Sequence, residues 1–322
     1  MVGVLIDSCG WVSVVDAGLN LDISLGAVVG ESELKITDGV KRELDSLNKK
    51  RSSLLLDLLY RRAEVVKSEE KHTDDALLAL SKKNSWPILK EEKIPFILFV
   101  STEAVGNKGY MSWNQIKEVE KENFAYIGNH SHSHDYLTKF TFKKFEEDIE
   151  KSIKIFNSKL GYNPSFFSYP FGEYNLEQKN YISKNFEFAF GQHSGVIDLN
   201  KDKYELPRFP INEKYGEIKR FKEVISYLPL QYRIIKPENK FMNDGENPPK
   251  MTIEFFKDQK NLENINCFSN EGSKWRKTKI ILIENTLNIN FAEKFTERRG
   301  RINCSLKDKE GWRFSGFQFV QN

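Results

Sequence analysis

Apolar positions along the first eighty residues alternate between short continuous runs and helical stripes. Val2–Ile6 is a run short enough for a buried strand and ends at Asp7; Glu33–Ile36 and Glu64–Val66 are two more. Between and after them, Val40, Leu44 and Leu47, then Leu54, Leu55, Leu58 and Leu59, then Leu77, Leu78 and Leu80 fall at helical spacing. Further on, Ile94–Val100, Phe124–Ile127, Phe166–Tyr169 and Phe186–Phe190 read as strands. Phe142, Phe145, Ile149, Ile153 and Phe156 line one face of a helix predicted over 141–160. Alternating strands and helices of this kind make an α/β layer. From about residue 231 the period changes to two: 251–255, 279–283, 287–291, 302–306 and 312–320 alternate apolar and polar residues, punctuated by Gly, Asn and Lys. That pattern predicts a terminal antiparallel β-sandwich, with 236–250 as the linker before it.

Composition divides the chain at a second place. Residues 1–84 contain none of the 24 Phe, none of the 10 Pro and one of the 12 Tyr, but 15 Leu. A step this sharp implies two segments of different history joined near residue 84. The chain carries net charge +3 with both signs interspersed, so bulk electrostatics select no polyanionic partner. No apolar run approaches the roughly 20 residues of a membrane helix. The first residues lack a basic stretch ahead of Asp7, which reads as no signal peptide and a cytoplasmic protein. Cys9, Cys267 and Cys304 are few and scattered, and predict no disulfide framework.

The richest chemistry lies in Gly128-Asn129-His130-Ser131-His132-Ser133-His134-Asp135, directly after a predicted strand and holding three of the five histidines. His130 and His134 stand at i and i+4, which suits two imidazoles on one divalent metal; His132, between them, points elsewhere and is structural. Two imidazoles need a third ligand, and the tandem acids Asp74-Asp75 are the candidate, although Thr73-Asp74-Asp75 also reads as a helix cap.

His130-Ser131-x-x-His134 resembles the H-[ST]-x-x-H motif of polysaccharide deacetylases of the NodB-homology type. Phe167-Ser168-Tyr169-Pro170-Phe171-Gly172 is similar to that family's third motif, Lys93–Val100 to the strand before its histidines, and Leu206-Pro207-Arg208-Phe209-Pro210 to a later arginine segment. The resemblance covers about residues 73–230, in the family's order. It implies a distorted (β/α) barrel and removal of acetyl groups from an oligo- or polysaccharide. Zn²⁺ or another divalent transition metal would be held by Asp75, His130 and His134. The same resemblance makes Asp74 the base, the Phe171 N–H the oxyanion donor and Arg208 the residue that orients the base. The first motif departs from the family's T-F-D-D-G: the Phe is missing, Ala76 replaces Gly, and the preceding Ser68–His72 stretch is polar. No late Leu-His motif supplies a general acid; His193 is the residue left for that role, and it also reads as structural.

The first segment is similar to PIN-domain nucleases through Leu5-Ile6-Asp7, Lys41-Arg42-Glu43-Leu44 and the Asp74-Asp75 stretch. That resemblance implies Asp7, Glu43 and Asp74 or Asp75 as ligands for Mg²⁺ or Mn²⁺, and a nucleic-acid substrate. Its last acid has no counterpart here. The domain expectation is therefore 1–72 PIN-like, 73–230 deacetylase-like and 231–322 β-sandwich. Three functions follow: a metal-dependent deacetylase, a PIN-type ribonuclease, or a non-catalytic carbohydrate-binding or scaffold protein. Arg298-Arg299-Gly300-Arg301 reads as a solvated hairpin turn, and Trp275, Trp312 and Phe314 as core of the terminal domain.

Overall fold

The structure is a computed structural model that describes residues 86–321, apart from 199, 213, 214 and 244, together with the backbone of two short strands nearer the N-terminus. Those strands, β1 (Leu34–Thr37) and β2 (Ala63–Val66), pair in parallel and coincide with two of the runs expected from the sequence. Asp7, Glu43, Asp74 and Asp75, and the helices predicted around them, lie outside the described residues.

After α1 (Trp86–Glu91) the chain alternates strictly: β3 (Phe96–Val100), α2 (Trp113–Glu120), β4 (Ala125–Asn129), α3 (Phe142–Leu160), β5 (Phe166–Ser168), α4 (Leu176–Asn185) and β6 (Phe188–Phe190). The four strands form one parallel sheet in sequential order, β3-β4-β5-β6. Local chemistry sets the helix ends. Ser112 and Gln115 form a capping box at α2, Thr141 accepts from Lys144 N at the start of α3, and Gly161 ends α3 in the left-handed region. The predicted stripe of α3 is what it buries: Phe145, Ile149 and Phe156 are at most 1% exposed. Phe145 and Ile149 pack with Phe167, Tyr169 and Ile182, and Phe156 packs with Ile116 and Ile127, so the helix spans two apolar clusters against the sheet.

Beyond α5 (Ile218–Ile225) the chain turns to short and long strands that pair antiparallel, apart from two short ones that join the last strand in parallel. β7 (Leu228–Pro229), β8 (Ile234–Lys236) and β9 (Phe241–Met242) precede β10 (Met251–Glu254), β11 (Asn266–Ser269), β12 (Arg276–Lys277), β13 (Lys279–Ile283), β14 (Thr286–Asn290), β15 (Arg299–Lys307) and β16 (Trp312–Gln321). One sheet runs β13-β14-β10-β8 and the other β12-β11-β15-β16-β7, with β9 also paired to β16. Both feed a shared core that includes Met251, Ile253, Leu287 and Ile289 from the first and Ile302, Leu306, Phe317 and Phe319 from the second.

Four expectations need correcting here. Residues 236–250 are not a free linker: β9 pairs with β16, and the Lys240 ammonium, 7% exposed, bonds both Glu205 oxygens at 2.9 and 2.8 Å. Cys267 and Cys304, directly opposed on β11 and β15, form a disulfide. Disulfides persist in oxidising compartments, which counts against the cytoplasmic expectation. Trp275 and Trp312 are 53% and 44% exposed and are not core. Arg299 and Arg301 belong to β15, whose alternate residues Gly300, Ile302, Cys304 and Leu306 are buried, and Arg299 on the opposite face reaches Glu173 of the α/β region at 3.6 Å. No helix among the described residues is long and apolar enough to cross a membrane.

Candidate active site

Strand β4 ends at Asn129 and the histidine loop begins at the next residue, at the carboxyl edge of a parallel sheet where α/β folds present their ligand-binding loops. The loop is clamped from both sides. The His130 N–H donates to the Val100 carbonyl at 3.0 Å, and Ser101 Oγ donates to the His130 carbonyl at 2.8 Å. From α3, the Asp148 carboxylate accepts from the N–H groups of His132 and Ser133 at 2.9 and 3.1 Å. Ser152, one turn later, holds the fully buried Asn129 amide, whose Oδ1 accepts from Ser131 N at 2.9 Å. Asp148 and Ser152 are polar interruptions at i and i+4 in the apolar stripe of α3, and that was the sequence signal for them.

His130 and His134 lie with ring centroids 4.7 Å apart and planes at 69°. His130 Nδ1–H donates to the Ser168 carbonyl at 2.6 Å; a carbonyl only accepts, so the proton is on Nδ1 and Nε2 carries a lone pair. Burial, the neighbouring His134 and Arg208 lower the His130 pKa to about 3 against the raising effect of the Ser168 bond, so the ring is neutral at ordinary pH. A neutral imidazole with one nitrogen tied to a carbonyl is the form that binds a divalent metal. The pair fits one. Among the described residues no group of three or more His, Cys, Asp or Glu side chains could hold a metal. His132 is turned away, with Nδ1 2.9 Å from Thr102 Oγ1.

Three residues at this site have positive φ despite carrying side chains: Ser131 (66°), His134 (53°) and Phe171 (58°). Such backbone costs on the order of 1–3 kcal/mol each and persists only where the surroundings enforce it. At Phe171 the enforcement is visible. Gly172 follows at φ 66°, where a Cβ would sit 2.5 Å from Gln192 N, so only glycine fits. The N–H groups of Gly172 and Glu173 donate to the carbonyls of Tyr169 and Pro170, while the Phe171 N–H makes no hydrogen bond within the described residues. The Phe171 ring lies 5.0 Å from His134 and stacks on Tyr136 at 4.2 Å.

Nothing in the hydropathy pattern places the C-terminal sheet here. Gln318 Nε2 donates to the Gly172 carbonyl at 3.0 Å while its Oε1 accepts from Arg301 Nε at 3.2 Å. Arg298 makes a forked contact with the fully buried Glu173 carboxylate, Nε to each oxygen at 3.0 Å, and lies 4.8 Å over the Tyr136 ring. Arg208, whose N–H donates to the His193 carbonyl at 3.0 Å, is near enough to act on His130 electrostatically.

His193 is held neutral by burial, with a pKa of about 4 despite the raising effect of Glu205, which suits a structural role better than an acid working near neutrality. Burial raises Glu205, but Lys240 and Lys179 outweigh it and hold the pKa at about 2. Both groups sit below their unfolded values. Stability from His193 is therefore complete above about 6.5 and falls towards pH 4, and that from Glu205 is lost between 4.5 and 2. Urea unfolding should show a lower midpoint at pH 5 than at pH 7, with a slope of at most about 1.4 kcal/mol per pH unit from His193. The His193→Asn variant should lose about half of that difference, because the buried His130, with a pKa lowered to about 3, contributes over the same window. Equal midpoints in the unaltered protein at the two pH values would contradict this account.

Residues 74–188 match the sequence model of the polysaccharide deacetylase family. A poly-beta-1,6-N-acetyl-D-glucosamine N-deacetylase of Staphylococcus aureus is 26% identical over 155 residues, which are 43% of this chain and 53% of that protein. The chain thus spans about half the length of the curated relatives it matches. Among solved structures it is similar to a Streptococcus pyogenes deacetylase in complex with acetate, at TM-score 0.45 and 15% identity over 66% of this chain and 86% of that one. It is also similar to IcaB from Ammonifex degensii, at TM-score 0.38 and 22% identity over 49% and 70% of the two chains. The histidine loop and the Phe171 turn both fall inside the stretch that matches this family model, whereas Arg208 and the C-terminal sheets lie beyond it.

Proposed function

We propose that this protein is a metal-dependent hydrolase that removes acetyl groups from a saccharide. The observation that carries the reading is the His130–His134 pair, its tautomer fixed by Ser168, facing a strained turn whose Phe171 N–H is unused within the described residues. By the order of the motifs, Asp75 completes the ligand set and Asp74 is the base. When bound, the divalent metal supplies Lewis-acid polarisation of the acyl carbonyl and lowers the pKa of water towards about 7. The protein's own groups do the rest. The Phe171 N–H donates to the oxyanion that develops on the acyl oxygen, and its rigid left-handed turn means that little reorganisation is needed at that moment. Asp74 takes the proton of the attacking water, and Arg208 orients that carboxylate. The four parallel strands are then one wall of the distorted barrel, and residues 231–322 a β-sandwich packed against its rim.

The test is acetate release from chito-oligosaccharides and acetylated xylan, before and after dialysis against dipicolinate. Release that stops on chelation and returns with Zn²⁺ is expected. A protein that binds zinc at this pair yet releases no acetate from either substrate would overturn the hydrolase reading in favour of carbohydrate binding alone.

A further inference from the structure

Arg299 and Arg301 of β15, and Arg298 just before it, have few acidic partners among the described residues. Among the described residues, Glu173 is the one carboxylate within ion-pair distance of Arg298, Arg299 or Arg301, and Arg298 already engages both its oxygens. Arg299 reaches it with Nε at 3.6 Å, and the Arg299 side chain is 30% exposed. Arg301 bonds the neutral Gln318 amide; burial lowers its pKa, and Arg299 and Arg208 push in the same direction, so the guanidinium groups repel one another. Residues 299 and 301 share one face of β15 by the two-residue period, and that face is the one turned to the active-site turn. The Arg299 guanidinium lies 5.9 Å from the Phe171 ring. Repelling guanidiniums on one strand face are relieved when an anion binds between them, and arginine's planar fork matches carboxylate and phosphate oxygens.

We propose that Arg299 and Arg301 form an anion subsite at the mouth of the active site, which takes a carboxylate or phosphate group carried by the glycan next to the acetylated sugar. The proposal deepens the deacetylase reading by naming the substrate class as an anionic glycan, and rests on that reading for the identity of the neighbouring pocket. It assigns the C-terminal sheet a part in specificity that the histidine loop and the Phe171 turn do not provide.

Equilibrium binding tests it without turnover, so that a failure to release acetate would sink the hydrolase reading and leave this result standing. The probes are chitotetraose, a hyaluronan tetrasaccharide and a glycerol phosphate oligomer bearing N-acetylglucosamine. All carry the acetamido sugar; they differ in being neutral, carboxylated or phosphorylated. At low salt at least one anionic glycan should bind about tenfold tighter than chitotetraose, and which one does so identifies the group. In the Arg299→Gln/Arg301→Gln variant the ratio should fall towards one, and in the Lys/Lys variant part of it should return. If the glutamine variant fails to fold, salt decides with the unaltered protein: the preference should shrink at least about threefold between 50 and 300 mM sodium chloride. Equal affinity for all three glycans, or a preference that survives both the substitutions and the salt, overturns the subsite.

Discussion

Alanine in place of His130 should abolish metal binding and reduce acetate release by more than about a hundredfold. Loss of a mere outer partner of a metal-bound histidine typically costs about 10–100-fold in metal affinity or activity, so loss of the imidazole itself must exceed that. The Ser168 carbonyl fixes the Nδ1 proton and thereby aims Nε2 beside His134, leaving no second arrangement of the ring that keeps its hydrogen bond. The matched control is His132→Ala. That ring is hydrogen-bonded to Thr102 and turned from the pair, so the variant should lose stability but keep its metal. Zinc stoichiometry by elemental analysis, set beside acetate release, reads both. If His130→Ala holds as much zinc as the unaltered protein, the pair is not the metal site.

Much of the α/β region was legible in the chain because its signals are local. Helix α3 starts at its Thr141 cap and ends at Gly161, and its buried face is the stripe of aromatic and β-branched residues read from the sequence. The histidine loop and the Pro-Phe-Gly turn were visible as motifs because a strand end and a glycine-dependent turn leave compositional marks within a few residues. What failed to show was non-local. The Cys267–Cys304 bridge joins residues 37 apart that meet only because β11 and β15 pair in one register. Asp148 and Ser152 gave a faint signal, two polar residues on a buried face, whose meaning depends on which loop that face covers.

The arginine strand shows the same limit from the other side. Period-two alternation over 299–307 separates an apolar face from a polar one, and a polar face ordinarily faces water. Here it faces a second unit of structure. Alternation carries the same mark whether the partner is solvent or a hydrogen-bonding surface, so Gln318 on the Gly172 carbonyl and Arg298 on Glu173 have no counterpart in the hydropathy pattern. The consequence is that the sheet region supports the Phe171 turn directly, although the matched family model ends at residue 188.

Glu173→Gln should therefore be among the most damaging substitutions outside the metal pair. The Glu173 side chain is fully buried and Arg298 is 22% exposed, so removing the negative charge leaves a largely enclosed guanidinium opposite a neutral amide. Breaking one partner of such a pair typically costs about 3–5 kcal/mol, and the remaining water access to Arg298 places the expected loss near the lower end. For a body of this size that is a fall of roughly 6–12 °C in the unfolding midpoint. The damage should also travel. The Arg298 guanidinium lies over Tyr136, whose ring stacks on Phe171, so the strained turn loses one of the contacts that enforce it. Acetate release should fall mainly through kcat, because the Phe171 N–H acts in the transition state more than in binding. A double-mutant cycle with Arg298→Met separates the ion pair from its surroundings. The two substitutions together should cost clearly less than the sum of each alone, since the stranded charge goes with the arginine. Additive losses, or a Glu173→Gln midpoint within about 2 °C of the unaltered protein, would show that the pair does not hold the C-terminal sheet to the active-site turn.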